Sequence, residues 1–558
     1  MGGNASGHRL RTFHALTANR ALMRIVAAYT LFTLIEYSVW LGVLVYAYSH
    51  GGAAAAGLVA TAQLIPAAVA APFTAAIADR RSPVLLLAGG YLAQAVLMAA
   101  AAVAAVAGPP AVVYAVAVLA GVAVTGTRPA QATLIPSVAV TPDQLTAANV
   151  LVGWVEAAGF AAAGLLAGVL IALGGVATVF AVCAGLGLGA AMLVARLRAV
   201  TFAPPSERTT TALAGLAESL RLTASRPRLR LMLGLLTAQA AVAGALDLLI
   251  VILAVSVLGL SHAWVGYLNF AYGVGAVVAA TLSVVLIGRR LGVPILSAAL
   301  LLSIAIAALA FDVGLTVTVA LLVVAGACHT LLDVSNRILL QRSVPPQLMG
   351  QVFGILEGLQ EAGWALGALL VPLLVYLGGS RLALLGVAAV LPLAAAVGGR
   401  GLFDLDAEAP VPVVEIALLR SQPLFAELPG PAIEALAASL TPAELPAGSV
   451  LIRQGDPGDA YYAIAAGELD VQQDGRFLRR CGRGEGIGEI ALLHAIPRTA
   501  TVIAHTAATV YQLNREPFLT AVLGHASAHR EAHRIASARL AADAAPDSPQ
   551  GPNPAELD

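Results

Sequence analysis

The sequence predicts a multi-domain protein. An all-α polytopic membrane bundle of 12 transmembrane helices in two six-helix repeats is followed by a small cytosolic β-roll with flanking helices. Three observations predict it. The chain of 558 residues is 59% hydrophobic and 11% charged, with a mean hydropathy of +0.86, whereas a soluble protein carries about 25% charged residues. Most of it therefore belongs in lipid. The apolar part reads as two similar halves. Hydrophobicity then falls in the acidic, proline-containing stretch 401–412 (Asp404, Asp406, Glu408, Pro410, Pro412), and short β-like runs follow.

A bilayer-spanning helix needs about 20 apolar residues. Twelve runs qualify, near 24–48, 54–78, 84–107, 111–136, 146–173, 176–195, 229–258, 264–287, 293–311, 315–340, 350–377 and 381–398. They are separated by Gly51-Gly52, Arg80-Arg81, Gly108-Pro109-Pro110, Thr141-Pro142-Asp143, Gly174-Gly175, the stretch 196–228, and their second-half counterparts. The expected organisation is a cytosolic segment 1–23, a first half 24–200, a cytosolic linker 201–228, a second half 229–400, a linker 401–412, a β-roll domain 413–541 and a disordered tail 542–558. The first apolar run is too long for a signal-peptide core and has no clear cleavage site, so it reads as a retained helix. Arginines collect on the cytoplasmic side of membrane proteins. Arg11, Arg20, Arg80, Arg81, Arg196, Arg198, Arg208, Arg289, Arg290, Arg342 and Arg400 fall on one side, and the opposite loops hold little beyond Arg381. Both termini and the β-roll are therefore expected in the cytosol.

The duplication rests on Gly57…Arg80-Arg81, which aligns with Gly266…Arg289-Arg290 at a constant offset. Glu156-Ala157…Gly174-Gly175 similarly resembles Glu361-Ala362…Gly378-Gly379. Two parallel six-helix halves joined by a basic linker suit a duplicated transporter. The stretch 20–400 resembles the major facilitator superfamily. In that family's commonest loop motif an Asp-Arg pair follows helix 2; Asp79 and Arg80 match it, while the usual flanking glycines are Ala75 and Ser82 here. Arg128-Pro129-Ala130…Pro136 with Leu145-Thr146-Ala147-Ala148-Asn149 is similar to drug-efflux members in the bacterial inner (plasma) membrane.

Ionisable residues inside membrane helices suggest function by default. Glu36 has Asp247 as an approximate counterpart, and Glu156 matches Glu361. Glu357 and Glu361 are four apart, as are His329, Asp333 and Arg337 in turn, so each set shares a helix face. Arg128 lies in helix 4, the repeat partner of helix 10. Acids paired across a pseudo-twofold axis suit a central cavity, and desolvation lets such carboxylates exchange protons. A bland reading stands beside this one: the charges pair and only brace the bundle.

The run from Gly486 to Val502 carries the clearest chemistry: Gly486-Ile487-Gly488-Glu489-Ile490-Ala491-Leu492-Leu493-His494-Ala495-Ile496-Pro497-Arg498-Thr499-Ala500-Thr501-Val502. Its glycines permit close backbone approach, the turn after Gly488 can aim free N–H groups at an anion, and Arg498 can bond phosphate oxygens. The run resembles the phosphate-binding cassette of cyclic-nucleotide-binding domains, the family of catabolite activator proteins and kinase regulatory subunits. The likeness extends over 415–540, including the turn Gly455-Asp456-Pro457-Gly458-Asp459. It implies that Glu489 takes the ribose 2′-hydroxyl and Arg498 the cyclic phosphate. Gly488, Ile490, Ala491, Thr499 and Ala500 would line the pocket, Val471 and Leu478 would touch the base, and a helix over 515–541 would form the lid, which can also dimerise. Thr499 leaves both cAMP and cGMP open, with cAMP favoured.

The remaining features are bland. Formal net charge is zero, so no global basic field argues for nucleic acid. Cys183, Cys328 and Cys481 form no metal-ligand spacing. His525, His529 and His533 read as a solvated helix face, Gly185, Gly187 and Gly189 as helix packing, and there is no Walker loop. The expectation is a non-enzymatic, proton-coupled exporter of a small hydrophobic or amphipathic compound, with cAMP or cGMP as regulatory ligand and no metal or cofactor. A transporter-like receptor without transport, and a constitutive transporter with a vestigial nucleotide domain, remain the alternatives.

Overall fold

The computed structural model describes residues 19–78, 82–138, 142–197, 227–286, 289–344, 349–408, 413–426, 428, 430–523 and 526–543. The chain divides between Pro410 and Val411 into two compact units. The first is helical among its described residues: α1 (Arg20–Ala78), α2 (Pro83–Ala107), α3 (Pro110–Val124), α4 (Thr127–Val138), α5 (Pro142–Ala195), α6 (Pro227–Ile252), α7 (Ala263–Leu282), α8 (Gly292–Ala308), α9 (Gly314–Ser343) and α10 (Met349–Glu408). Proline suits the first turn of a helix, where its missing N–H has no partner to lose. It opens α2 and α3.

Three of these helices contain a glycine pair with non-helical backbone, and the three pairs share one conformation. Their φ, ψ values are −159°, 19° then 64°, −157° at Gly51 and Gly52; −161°, 21° then 74°, −172° at Gly174 and Gly175; and −165°, 25° then 73°, −172° at Gly378 and Gly379. The second glycine of each pair sits at positive φ, which glycine alone adopts freely. These are the breaks expected from sequence. By length and apolarity the described residues supply eight candidate spans, not twelve. The difference arises because Arg20–Ala70, Leu151–Ala195 and Val352–Asp406 each run through a glycine pair, and because Pro110–Val124 is shorter than a span.

Small residues bring the helices close. A Cβ on Gly57 would stand 2.5 Å from Ala368 O, and one on Gly266 would stand 2.3 Å from Gly168 N. Gly57 and Gly266 are the repeat-related glycines, and they seat α1 on α10 and α7 on α5, two of the contacts that cross between halves. Gly159 against Thr33 and Gly363 against Thr237 do the same within each half, on α5–α1 and α10–α6. Such small-residue seams are the usual means of helix association in lipid.

One boundary differs from expectation. Residues 401–408 are not a linker but the last turns of α10. Asp406 is 4% exposed, and its carboxylate accepts from the backbone N–H groups of Leu291 (2.8 Å) and Gly292 (3.0 Å). The acidity read as part of a linker instead supplies acceptors for the orphan donors that open α8. Residues 409–412 lie outside the described residues, as do most of the predicted linker 201–228, the tail from 544 and the segment 1–18.

The second unit opens with α11 (Val413–Ser421) and α12 (Gly430–Ala438). Eight strands follow: β1 (Thr441–Leu445), β2 (Val450–Ile452), β3 (Ala460–Ala466), β4 (Leu469–Gln473), β5 (Arg476–Cys481), β6 (Gly486–Ile487), β7 (Thr501–Ala504) and β8 (Ala508–Asn514). They form two antiparallel four-stranded sheets, ordered β1-β8-β3-β6 and β2-β7-β4-β5. α13 (Glu489–His494) interrupts the strands, and α14 (Arg515–Leu523) and α15 (Ala526–Asp543) close the unit. The lid predicted as one helix over 515–541 is thus two. Ile464, Val471, Ile487, Val502 and Val510 fill the core between the sheets. Phe425, Tyr461, Leu513 and Phe518 pack with α15 residues Ala528 and Ala532.

Candidate functional site

The cleft of the second unit lies beside α13. Ile452, Val471, Arg479, Ile487, Gly488, Glu489, Ile490, Ala491, Arg498, Thr499, Ala500 and Val502 line it, around about 420 Å³ of space that includes its open mouth. Gly488 sits at φ 93°, and a Cβ there would stand 2.6 Å from Arg498 Nη1, so the glycine admits the guanidinium. Arg498 is 5% exposed. It donates through Nη1 to Gly488 O (3.1 Å) and through Nη2 to Ala460 O (2.7 Å) and Asp459 Oδ1 (3.1 Å). These contacts hold the cation in place while leaving it at the cleft, a preorganised anchor for an anion.

Glu489 is 2% exposed. Its Oε1 accepts from Arg539 Nη1 at 2.7 Å, and the same nitrogen donates to Gly486 O at 2.8 Å. Arg539 belongs to α15, so the helix that closes the unit is tied to the cassette through the cleft's carboxylate. Burial opposes the Arg539 charge, but the Glu489 carboxylate outweighs it and holds the guanidinium above its ordinary value. Burial first, and then the Glu489 carboxylate, push the Tyr461 hydroxyl up. It remains a donor to Gln422 Oε1 at 2.7 Å.

In the first unit, Arg337 Nε donates to both oxygens of Asp333 (3.2 and 3.0 Å), and its Nη2 donates to Gln360 Oε1 (3.0 Å). Glu357 Oε1 is 3.8 Å from Arg337 Nη1. Trp40 Nε1 donates to Asp247 Oδ2 at 3.0 Å, a bond from α1 to α6. The Tyr29 hydroxyl donates to Glu156. Asn336 Nδ2 donates to Gln239 Oε1 at 3.0 Å, with both residues buried. Glu36 and Glu361 are half-buried on α1 and α10.

With both geometries described, comparison with known proteins identifies the parts. The family model for the Major Facilitator Superfamily matches residues 25–368. The chain belongs to the Major Facilitator Superfamily. A second family model, for the cyclic nucleotide-binding domain, matches residues 442–525. The superfamily bundle is therefore joined to a cyclic nucleotide-binding domain in one polypeptide. The cAMP-dependent protein kinase regulatory subunit of Aspergillus niger is 38% identical over 104 residues, 18% of this chain and 25% of that protein. The subunit of the same description from Emericella nidulans is 36% identical over 104 residues, with the same shares of 18% and 25%. The chain thus spans a quarter of the length of these curated relatives. Among solved structures, the regulatory domain of Toxoplasma gondii PKA with cAMP is similar, with 30% identity, a TM-score of 0.21, and coverage of 22% of this chain and 48% of that one.

Gly488, Glu489, Ile490, Ala491, Arg498, Thr499, Ala500 and Val471, picked from sequence, all line the domain's cleft. Leu478 does not. A bulge follows Val471 on β4: Val471 pairs with Arg479 and Gln472 with Phe477, so Leu478 has no partner in register and packs against the core between the sheets. Arg479 lines the cleft in its place. In the superfamily bundle, Asp333 and Arg337 pair as the bracing alternative required. Asp247 faces Trp40. Asp79 and Arg80 lie outside the described residues, as does the Arg128 side chain. Sequence reading missed Trp40, Tyr29, Gln360 and Arg539. Arg539 carried a signal, because it continues the buried stripe Ala528, Ala532, Ala536, and a charge on a helix's buried face requires a partner.

Proposed function

We propose that this chain is a secondary active transporter of the bacterial inner membrane whose inward–outward equilibrium is set by cytosolic cAMP. One observation carries the reading: Arg498 and Glu489, the groups suited to a cyclic phosphate and a ribose hydroxyl, line one cleft in a polypeptide that also holds a superfamily bundle. The names of the fungal relatives favour cAMP over cGMP. The bundle crosses the membrane twelve times in two repeats. Helix α1 has 59 residues, about 90 Å at 1.5 Å per residue, against a hydrocarbon core of about 30 Å, so each glycine pair parts two crossings. The arginine distribution puts the nucleotide domain in the cytosol. Half-buried acids inside the bundle suit proton-coupled efflux of a small hydrophobic or amphipathic compound.

Nucleotide entering beside Glu489 meets the carboxylate that tethers α15, so binding acts on the helix closing the domain. Coupling of this kind amounts to about 1–3 kcal/mol and is reciprocal. The test titrates the purified full-length chain with cAMP and cGMP beside Arg498→Ala, then measures proton-driven flux from proteoliposomes with and without nucleotide. Saturable cAMP binding, lost in the variant, with a flux change of about fivefold or more, is expected. Flux unaffected by saturating cAMP would remove the gating.

A further inference from the structure

We infer that His494, His529 and His533 form a proton-sensitive latch on the closing helix α15, which makes acidity a second input to the nucleotide domain. This rests on reading the cleft as the nucleotide site. His529 and His533 are one turn apart on α15, and their rings meet edge to face at 4.5 Å between centroids. His494 ends α13, and its ring meets that of His533 at 5.6 Å, again edge to face. Three imidazoles therefore form one row across the seam between the cassette helix and the helix that closes over it. Sequence spacing put His529 and His533 on a solvated face; both are half-buried, and His494 joins them from another helix.

Histidine is the side chain that changes charge in the physiological range, at about pH 6.5. Neutral rings in this arrangement pack as other aromatic pairs do, the edge of one against the face of the next. Protons on two adjacent rings place like charges 4.5 or 5.6 Å apart, which is repulsive. The carboxylates nearest the row in sequence are already taken. Glu531, on α15 between the two histidines, accepts from Arg534, and Arg530 adds a further positive charge beside it. Glu489 of α13 accepts from Arg539. α15 also packs on α14, which contributes Glu516 and Arg515, the latter donating to Gly458 O. α12 shares the core with Ala528 and Ala532 and contributes Glu434. Docking of α15 is therefore favoured while the row is neutral, and it is lost as pH falls through the imidazole range. Undocking takes Arg539 away from Glu489, so nucleotide affinity falls with it.

The test uses the purified full-length protein in detergent, with EDTA present throughout so that the rings answer to protons alone. Calorimetric cAMP affinity and amide exchange of α15, corrected for the intrinsic effect of pH, are measured at about pH 7.5 and about pH 5.5, on either side of the imidazole range. Acid is expected to weaken cAMP about fivefold or more, and to speed α15 exchange by a similar factor. His494→Gln and His533→Gln should each cut both responses to below about twofold, under the lower end of ordinary coupling. His505→Gln, which removes an imidazole bound instead to Asp470, should keep them in full. Should His533→Gln not fold, His494→Gln, at an exposed residue, still decides. Exchange of α15 equal at both pH values, or a full response in His494→Gln, overturns the inference. Absence of cAMP binding at either pH would remove the nucleotide reading, while α15 exchange would still decide the latch.

Discussion

The nucleotide domain and the superfamily bundle treat two of their charges in opposite ways. Arg498 has three local partners, Gly488 O, Ala460 O and Asp459. Asp247 is held by one indole from a helix more than two hundred residues away in sequence. The first arrangement fixes a charge so that a ligand finds it ready. The second gives a carboxylate a single neutral donor among the described residues. A receptor site benefits from rigidity, because its ligand pays no reorganisation cost. A transport site must release what it binds.

The comparison is best broken at Arg498. Arg498→Ala removes a buried, charge-assisted anchor worth about 3 kcal/mol, so nucleotide affinity measured by calorimetry should fall about 100-fold or more. Arg498→Lys should not restore it, because an ammonium cannot reproduce the forked geometry. A smaller loss is expected at Arg539. Arg539→Ala frees the Glu489 carboxylate from its 2.7 Å partner, and the misoriented group should weaken cAMP by about tenfold, or about 1.4 kcal/mol. Proteolysis at α15 should quicken in the same variant. In the bundle, Gly379→Ala places a side chain at φ 73°, costing about 1–2 kcal/mol, which a thermal-unfolding shift in detergent should register; Gly354→Ala, where a Cβ meets nothing within 4 Å, is the control. Asp406→Ala should cost about 1 kcal/mol, the usual loss on removing a helix cap. Least of all should change at Cys481. Its thiol is buried, and burial pushes it up, so iodoacetamide at neutral pH should leave it unmodified until the domain is unfolded.

These expectations also mark what the sequence made legible. The cassette was readable because its contacting residues, Gly488 to Ala500, sit in one short run whose spacing is set by local turns. Val471 and Leu478 came from the family resemblance, and the bulge that follows Val471 turns Leu478 away from the cleft. The glycine pairs were readable as breaks, though not their shared conformation. Arg539 and Glu489 are fifty residues apart and meet only once α15 docks. Trp40 and Asp247 meet only once the two halves close. Asp406 was placed in a linker because acidity and proline mark the fall in hydropathy there, while its role depends on where α8 begins.

Asp406 has a mechanical meaning as well. Because it clamps the end of α10 to the start of α8, the chain leaves the bundle from a stiff mount. Without that brace the last turns of α10 would fray away from the start of α8.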